Sequence, residues 1–544
     1  MFEIINKKAI WERVRSVLKT YRLKFICIFL LIVLSSVFSF ILPQLTKRIM
    51  DDGFIARNFD AILVLSFSLF CVLVMRQAVE YMKESFRIDF KKKLIYNLYK
   101  IAFLHICKSE IKSLDKNRAE IINKLQMDIN SISTLIDNTT LFTIGQIFNV
   151  IGGVIGLFMI HTKLALVVLF MIPVKYILIV YLSKKRESLT SEYINANTSF
   201  FKWFENTLAG IQEIKLFDLH NYKIEEFSPL MNKNVNVDKK IMLLSVYNSI
   251  LDNFIIEILT IIIYLVSAVH LLKDELTVGS IFAFITYLIY VSAPISTIIN
   301  FRYMLAGVIP SLYRYVDFLN KEEEPMGGEK IQRMDGYPII EFKNVGFQYT
   351  DNKVVLDKLS FKVYLGEKVA IIGKNGTGKS TLIQLLLRFY LPACGAIEMY
   401  GKNINIYDLE ELRGGFSVVS QNVYLFEGSI KSNIILNKEF VPALFTEVLQ
   451  QANLFDLVEE YTVDYNVGYG GANLSGGQKQ KIAIARALYS DHEIYIFDEI
   501  TSNADIQTRS IYKKTIIKYL RDKTVLIITH DDDLLPFVDK IIKL

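Results

Sequence analysis

Six apolar stretches within the first 302 residues constrain this chain more than any other feature, lying near 23–43, 60–82, 139–161, 163–183, 250–272 and 280–302. Each reaches the roughly 20 residues that a helix needs to cross a hydrocarbon core. The chain is 52% hydrophobic and only 22% charged, with a mean hydropathy of +0.32. That is more apolar surface than a soluble fold buries, so a lipid bilayer is the expected surrounding. The intervals are uneven: HTK (161–163) and KDELT (273–277) are short turns, whereas 83–138 and 184–249 are long, helical in pattern and rich in Lys and Arg. The positive-inside rule puts those basic intervals, and with them both termini, on the cytoplasmic side.

Residues 1–22 carry Phe2, Ile5, Ile10, Trp11, Val14, Leu18 and Tyr21 at helical spacing among basic residues. Such a segment lies along the inner membrane surface or packs as an ordinary amphipathic helix on protein. The first apolar run ends in LPQLTKR with no small-residue cleavage site, so it reads as a retained anchor. Arg76, Glu80, Lys175, Asp252 and Glu257 fall inside the apolar stretches. Counted from the cytoplasmic ends, Arg76, Lys175 and Glu257 share a layer about 10 Å deep. They either line the inner mouth of a substrate cavity or belong to structural pairs, Arg76 with Glu80 and Lys175 with Glu257. A net charge of +6 without a compact basic patch gives no nucleic-acid footprint. Four cysteines without CxxC spacing and only six histidines give no expectation of a disulfide framework or a metal cluster.

Residues 320–338, NKEEEPMGGEKIQRMDGYP, are charged, contain Gly and Pro and lack apolar periodicity, as a linker does. Beyond them short β-rich runs alternate with helices, the pattern of an α/β domain over 339–544. KVAIIG (368–373) is a buried strand that feeds GKNGTGKST (373–381), and STLIQLLL follows as a helix. Glycines let such a loop wrap phosphates, Lys379 reaches the β and γ groups, and the Ser380 hydroxyl ligates Mg²⁺. IYIF (494–497) runs into Asp498, suited to Mg²⁺, and Glu499, suited to a general base. TVLIIT runs into His530, placed for a γ-phosphate. A second anion seat stands at NLSGGQKQ (473–480), where Ser and Gly residues open another helix. One nucleotide does not need both seats from one chain.

These residues resemble the ATP-binding cassette exporters over essentially the whole chain, as a bacterial half-transporter with one membrane unit fused to one ATPase. The resemblance implies an all-α, six-helix transmembrane domain of the type IV exporter kind (23–319) followed by an α/β P-loop NTPase domain. Gly373, Lys374, Asn375, Gly376, Thr377, Gly378, Lys379, Ser380 and Thr381 are similar to the family's Walker A loop. Leu474, Ser475, Gly476, Gly477 and Gln478 match its signature, and Asp498 with Glu499 its Walker B and catalytic carboxylates. Gln421 corresponds to the Q-loop residue, with catalytic and Mg²⁺-binding roles, Asp505 to the D-loop, His530 to the switch histidine and Tyr349 to the aromatic that stacks on adenine. Residues 114–132 and 205–218 look like the surroundings of two cytoplasmic coupling helices.

What the resemblance implies is ATP-driven export across a bacterial cytoplasmic membrane by a dimer; intact catalytic positions favour a homodimer, with a heterodimer carrying a degenerate partner as the alternative. Each ATP, with Mg²⁺, is then held between one chain's Walker motifs and the other chain's signature. A peptide or other amphipathic molecule is the first expectation for cargo, with lipid flipping or drug efflux as alternatives. An ATP-gated channel or a non-transporting sensory partner is the alternative from another class. The family pattern is broken at VGYGG, where Tyr469 replaces a usual glutamate, and at SNAD, which replaces SALD. The chain also stops soon after the switch strand, without the hairpin and helix usual in relatives, and no peptidase domain precedes the first span, so leader trimming is not expected of it.

Overall fold

Backbone N–H and C=O groups cannot be left unpaired in hydrocarbon, so the apolar stretches are obliged to be helical. In the computed structural model, which describes residues 22–114, 118–325, 327–334, 336–349, 354–374, 376–499, 513–529 and 532–544, they are. The amphipathic segment 1–21 lies outside the described residues. The chain divides into two units, Met1–Cys107 with Asn117–Lys321, and Lys108–Lys116 with Glu322–Leu544.

The first unit is built from α1 (Arg22–Arg48), α2 (Phe59–Lys108, whose last residue opens the other unit), α3 (Arg118–Ser133), α4 (Asn138–Ile160), α5 (Thr162–Ala209), α6 (His220–Leu271), α7 (Val278–Ser292) and α8 (Pro294–Leu319). Helices α2, α5 and α6 have 50, 48 and 52 residues. At about 1.5 Å per residue they are more than twice the thickness of a hydrocarbon core. The basic intervals read from the sequence are therefore largely continuations of crossing helices rather than loops. Among the described residues five helical segments are long and apolar enough to span a membrane, and only 6% of the apolar window of α2 is buried within the chain. Phe67, Phe70, Phe170 and Ile177 stand exposed on such faces, as lipid-facing side chains do.

The sixth apolar stretch is divided. Pro294 has no N–H for the helical ladder, so α7 ends after 15 residues and α8 begins, although Ala293 between them keeps helical angles (φ −63°, ψ −38°). Small residues bring α4 close to α7: a Cβ on Gly156 would lie 2.6 Å from the Tyr287 ring, and one on Gly153 would lie 2.8 Å from Val291 Cγ2. The Tyr287 hydroxyl, otherwise a buried polar cost, donates to the Phe40 carbonyl of α1 at 2.6 Å.

Lys175, 2% exposed, donates to the Ser292 carbonyl (2.6 Å) and hydroxyl (3.0 Å) and forms an ion pair with Asp252 at 2.5 Å. This corrects the pairing of Lys175 with Glu257. Five residues along a helix turn it by about 140° net, so Asp252 and Glu257 lie on different faces, and the Asp252 face meets α5. Glu257 is exposed and Arg76 half-buried, and the expected Arg76–Glu80 pair is replaced by one between Glu80 and Lys83. Removing one partner of a buried pair strands the other charge. Asp252→Ala is accordingly expected to destabilise the membrane unit by about 3 kcal/mol, seen as a lower melting temperature in detergent. The double variant Lys175→Met/Asp252→Leu should recover most of that loss; an unchanged melting temperature in Asp252→Ala would sink the account.

The second unit contains two sheets. An antiparallel one has the order β2 (Val354–Val363), β1 (Ile340–Gln348), β4 (Cys394–Met399), β5 (Lys402–Asn403). A parallel one has the order β6 (Phe416–Val419), β7 (Ile494–Asp498), β8 (Thr524–Ile528), β3 (Lys368–Ile372), β9 (Lys540–Lys543). Alternate residues of β7 and β8 enter opposite cores: Tyr495, Phe497, Val525 and Ile527 on one face, Ile494, Ile496, Leu526 and Ile528 on the other. A parallel sheet covered on both faces explains why IYIF and VLII read as unbroken apolar runs. The linker is pinned by Glu324, whose two carboxylate oxygens each accept from the Arg413 guanidinium at 2.7 Å.

Candidate nucleotide site

In a parallel sheet the strands all point one way, so their carboxyl ends form one rim. Ile371 of β3 is level with Ile528 of β8, and Ile528 with Asp498 of β7, which lines up the three loops that follow. After β3 the phosphate loop leads into α9 (Lys379–Leu386). Gly376 (φ +82°) and Gly378 (φ +93°) take left-handed backbone, and a Cβ on Gly378 would lie 2.8 Å from both Leu356 and Val355 side chains. Only glycine gives the loop this turn without strain.

The loop borders a cleft of about 460 Å³ lined by Tyr349, Val355, Gly376, Gly378, Lys379, Ser380, Thr381, Gln421 and Glu499. Lys379 is 5% exposed, and its ammonium donates to the Gly373 carbonyl (2.8 Å) and Lys374 carbonyl (3.3 Å) and lies 3.2 Å from Glu499 Oε1. The Gln421 amide donates to Glu499 Oε2 at 2.8 Å, and the Ser380 hydroxyl to Asp498 Oδ1 at 3.4 Å. Burial pushes the Asp498 carboxyl above the usual carboxylate range, against the opposing pull of the Ser380 hydroxyl. A hydroxyl, an amide and a buried carboxylate form an oxygen-rich set suited to Mg²⁺.

Tyr349 remains 46% exposed while its hydroxyl is bonded to Thr381 Oγ1 (2.9 Å) and Gln384 Oε1 (2.7 Å). Its ring meets those of Phe347 and Tyr390 at near-right angles, which steadies it. Gln384 was not identifiable from the motif; its only signal is its place four residues after Ser380 on α9. Lys374 and Thr377 belong to the loop, the Thr377 hydroxyl donating to the Lys374 carbonyl at 2.9 Å. Asn375, Asp505 and His530 lie outside the described residues.

The signature is arranged differently. Ser475 is the N-cap of a 15-residue helix, α10 (Gly476–Ser490), and a capping box closes it: the Gln478 N–H donates to Ser475 Oγ (3.3 Å) and the Ser475 N–H to Gln478 Oε1 (2.8 Å). Leu474 is buried in the core beside Leu425 and Ile482, whereas Ser475 and Gly476 are exposed. Among the described residues nothing beyond its own helix and chain neighbours lies within 4 Å of where a Gly476 Cβ would be. Packing in this chain therefore does not require glycine at 476. Residues 474–478, Gly477 included, do not line the phosphate-loop cleft. Tyr469, in the loop before the signature, is 76% exposed with its ring edge-on to Tyr424.

Of the three residues assigned to a substrate cavity, Lys175 lines a void of about 10 Å³ with Ser292, Met171 and Ile255. Its burial between Asp252 and Ser292 removes it from an open inner mouth in this conformation.

Comparison with known proteins matches residues 25–295 to the ABC transporter transmembrane region and residues 356–502 to the ABC transporter domain. The chain is similar to proteins named ATP-dependent lipid A-core flippase. That of Pseudoalteromonas translucida (strain TAC 125) is 29% identical over 499 residues, covering 90% of this chain and 85% of the relative. That of Wigglesworthia glossinidia brevipalpis is 28% identical over 495 residues, with coverage of 90% and 85%. Among solved structures, a bacterial Atm1-family ABC exporter with ATP bound superposes with a TM-score of 0.76 at 21% identity, over 96% of this chain and 93% of the other. That last likeness is one of fold.

Proposed function

We propose, on the premise that the chain belongs to the ATP-binding cassette exporters as a half-transporter with fused membrane and ATPase parts, that two copies pair to move a lipid-like amphiphile across a bacterial cytoplasmic membrane. The observation that carries the pairing is the exposed Ser475–Gly476 seat, which stands apart from the lining of the chain's own phosphate-loop cleft. Its open glycine leaves room for a phosphate brought by a second chain. The relatives' names favour a lipid-like cargo over a peptide.

In the assembled site, Lys379 trades its loop carbonyls and Glu499 for phosphate oxygens, a change its three donors allow. The loop N–H groups and the start of α9 hold the remaining oxygens, and the exposed face of Tyr349 takes the adenine. Ser380, Asp498 and Gln421 are the residues that hold Mg²⁺, which when bound neutralises phosphate charge. Glu499, released from Lys379, accepts a proton from the attacking water as its oxygen bonds to the γ-phosphorus and the β–γ bridge breaks. His530 and Asp505 retain the roles the family resemblance gives them.

The test is reconstitution in proteoliposomes carrying a fluorescent lipid in one leaflet. ATP-dependent movement of the lipid to the other leaflet is expected, and its loss in Glu499→Gln. ATP hydrolysis without lipid movement, but with uptake of an amphipathic peptide, would replace the cargo reading.

A further inference from the structure

The turn between α4 and α5 and the turn between α6 and α7 meet at the end of the membrane unit away from the long basic extensions of α5 and α6. Two of the chain's six histidines come together there, with the rings of His161 and His270 4.5 Å apart between centroids. Glu275 joins them, its Oε2 2.5 Å from His270 Nδ1. One ligand atom from each of the three side chains lies within 4.8 Å of the others. We propose that His161, His270 and Glu275 form a binding site for a divalent transition metal of the Zn²⁺ class, fastening one turn to the other.

Two imidazoles and one carboxylate, with room for a water, make a set that Zn²⁺ accepts in tetrahedral geometry. Ligand atoms around such an ion sit roughly 3.3 Å apart, from bond lengths of about 2.0–2.1 Å. Closing from the observed spacing takes a shift on the order of 1 Å. Glu275 is the residue free to move, because it is exposed and sits in the turn before α7. His161 caps α5, where its Nδ1 accepts from the Leu164 N–H at 3.4 Å, a long contact. Ligation by Nδ1 replaces that contact and ligation by Nε2 forgoes it, so either costs little. On metal binding the Glu275 carboxylate and His270 Nδ1 exchange their mutual bond for bonds to the ion, so the contact that now holds them together is the one the ion replaces. The ordinary alternative is a local His–carboxylate pair with a second imidazole tilted at 53° beside it, and it predicts no stoichiometric metal binding.

Full-length protein in nanodiscs, stripped with chelator, is titrated with Zn²⁺ against a chromogenic competitor, and with Co²⁺ for its visible ligand-field bands. About one Zn²⁺ per chain is expected, with the intense Co²⁺ bands of a four-coordinate site. His161→Ala and His270→Ala should each weaken binding at least about tenfold, and Glu275→Gln about tenfold. His220→Ala, at the far end of α6, should leave binding unchanged. Metal-free melting temperature and basal ATPase of each variant show that it is folded; His270→Asn replaces any alanine variant that is not. No stoichiometric Zn²⁺ in the wild type, or full binding in the His161→Ala/His270→Ala double variant, would overturn the site.

Discussion

Glu499→Gln is expected to lower ATP turnover by about 10²–10⁴-fold, the usual worth of a positioned general base, with nucleotide affinity retained. The side chain sits one residue beyond β7 with left-handed backbone (φ +47°), a conformation that costs a non-glycine residue free energy and persists because neighbours hold it. Its N–H donates to the Ile528 carbonyl at 2.9 Å, tying the loop after β7 to β8. Its carboxylate is held on one oxygen by the Gln421 amide and approached on the other by the Lys379 ammonium. Glutamine preserves the shape and the backbone tie but cannot take a proton. Phosphate release and binding of a fluorescent ATP analogue separate the two effects. Turnover within a factor of about three of the wild type would remove Glu499 from the proton step.

The second large effect concerns which chain's phosphate Ser475 serves. Homodimers of Ser475→Arg, and homodimers of Lys379→Ala, are each expected to lose essentially all ATP turnover. A mixed dimer of one Ser475→Arg chain with one Lys379→Ala chain should regain activity, because the first chain's Lys379 then faces the second chain's intact Ser475. If signature and phosphate loop instead served one nucleotide within a chain, both sites of the mixture would be dead. Folding does not confuse the result. Loss of the Ser475 cap costs about 1 kcal/mol, and α10 is anchored independently by buried Ile482, Ile484, Ala485 and Leu488. Separately tagged chains, purified in tandem and assayed for phosphate release, provide the measurement; a mixture as inactive as both parents would refute the exchange between chains.

Much of the nucleotide site was legible because its parts are short and contiguous. GKNGTGKST, IYIFDE and LSGGQ each carry strand, turn and helix signals in the order the chemistry needs. The parallel sheet then has little freedom: strands that end in these loops deliver Lys379, Asp498 and Glu499 to one rim. Less legible was what each side chain does between events. Neither the bond from Gln421 to Glu499 nor the anchoring of Tyr349 by Gln384 has a spacing signature, since both join residues from separate elements.

The membrane unit divides the same way. Apolar length, a property of single segments in a bilayer, determined which segments form the long apolar helices of the membrane unit. The tertiary structure decided the partners. Lys175 takes Asp252 and the Ser292 carbonyl rather than Glu257, because helix rotation selects which of two acids faces α5. His161 and His270 raised no metal expectation, being more than a hundred residues apart in the chain without local ligand spacing. Antiparallel packing of α5 against α6 places the start of one beside the end of the other, and with them the two rings and Glu275. Contiguous patterns encode what a segment can do with its surroundings; meetings between distant side chains depend on how helices are turned and packed, which no single segment specifies.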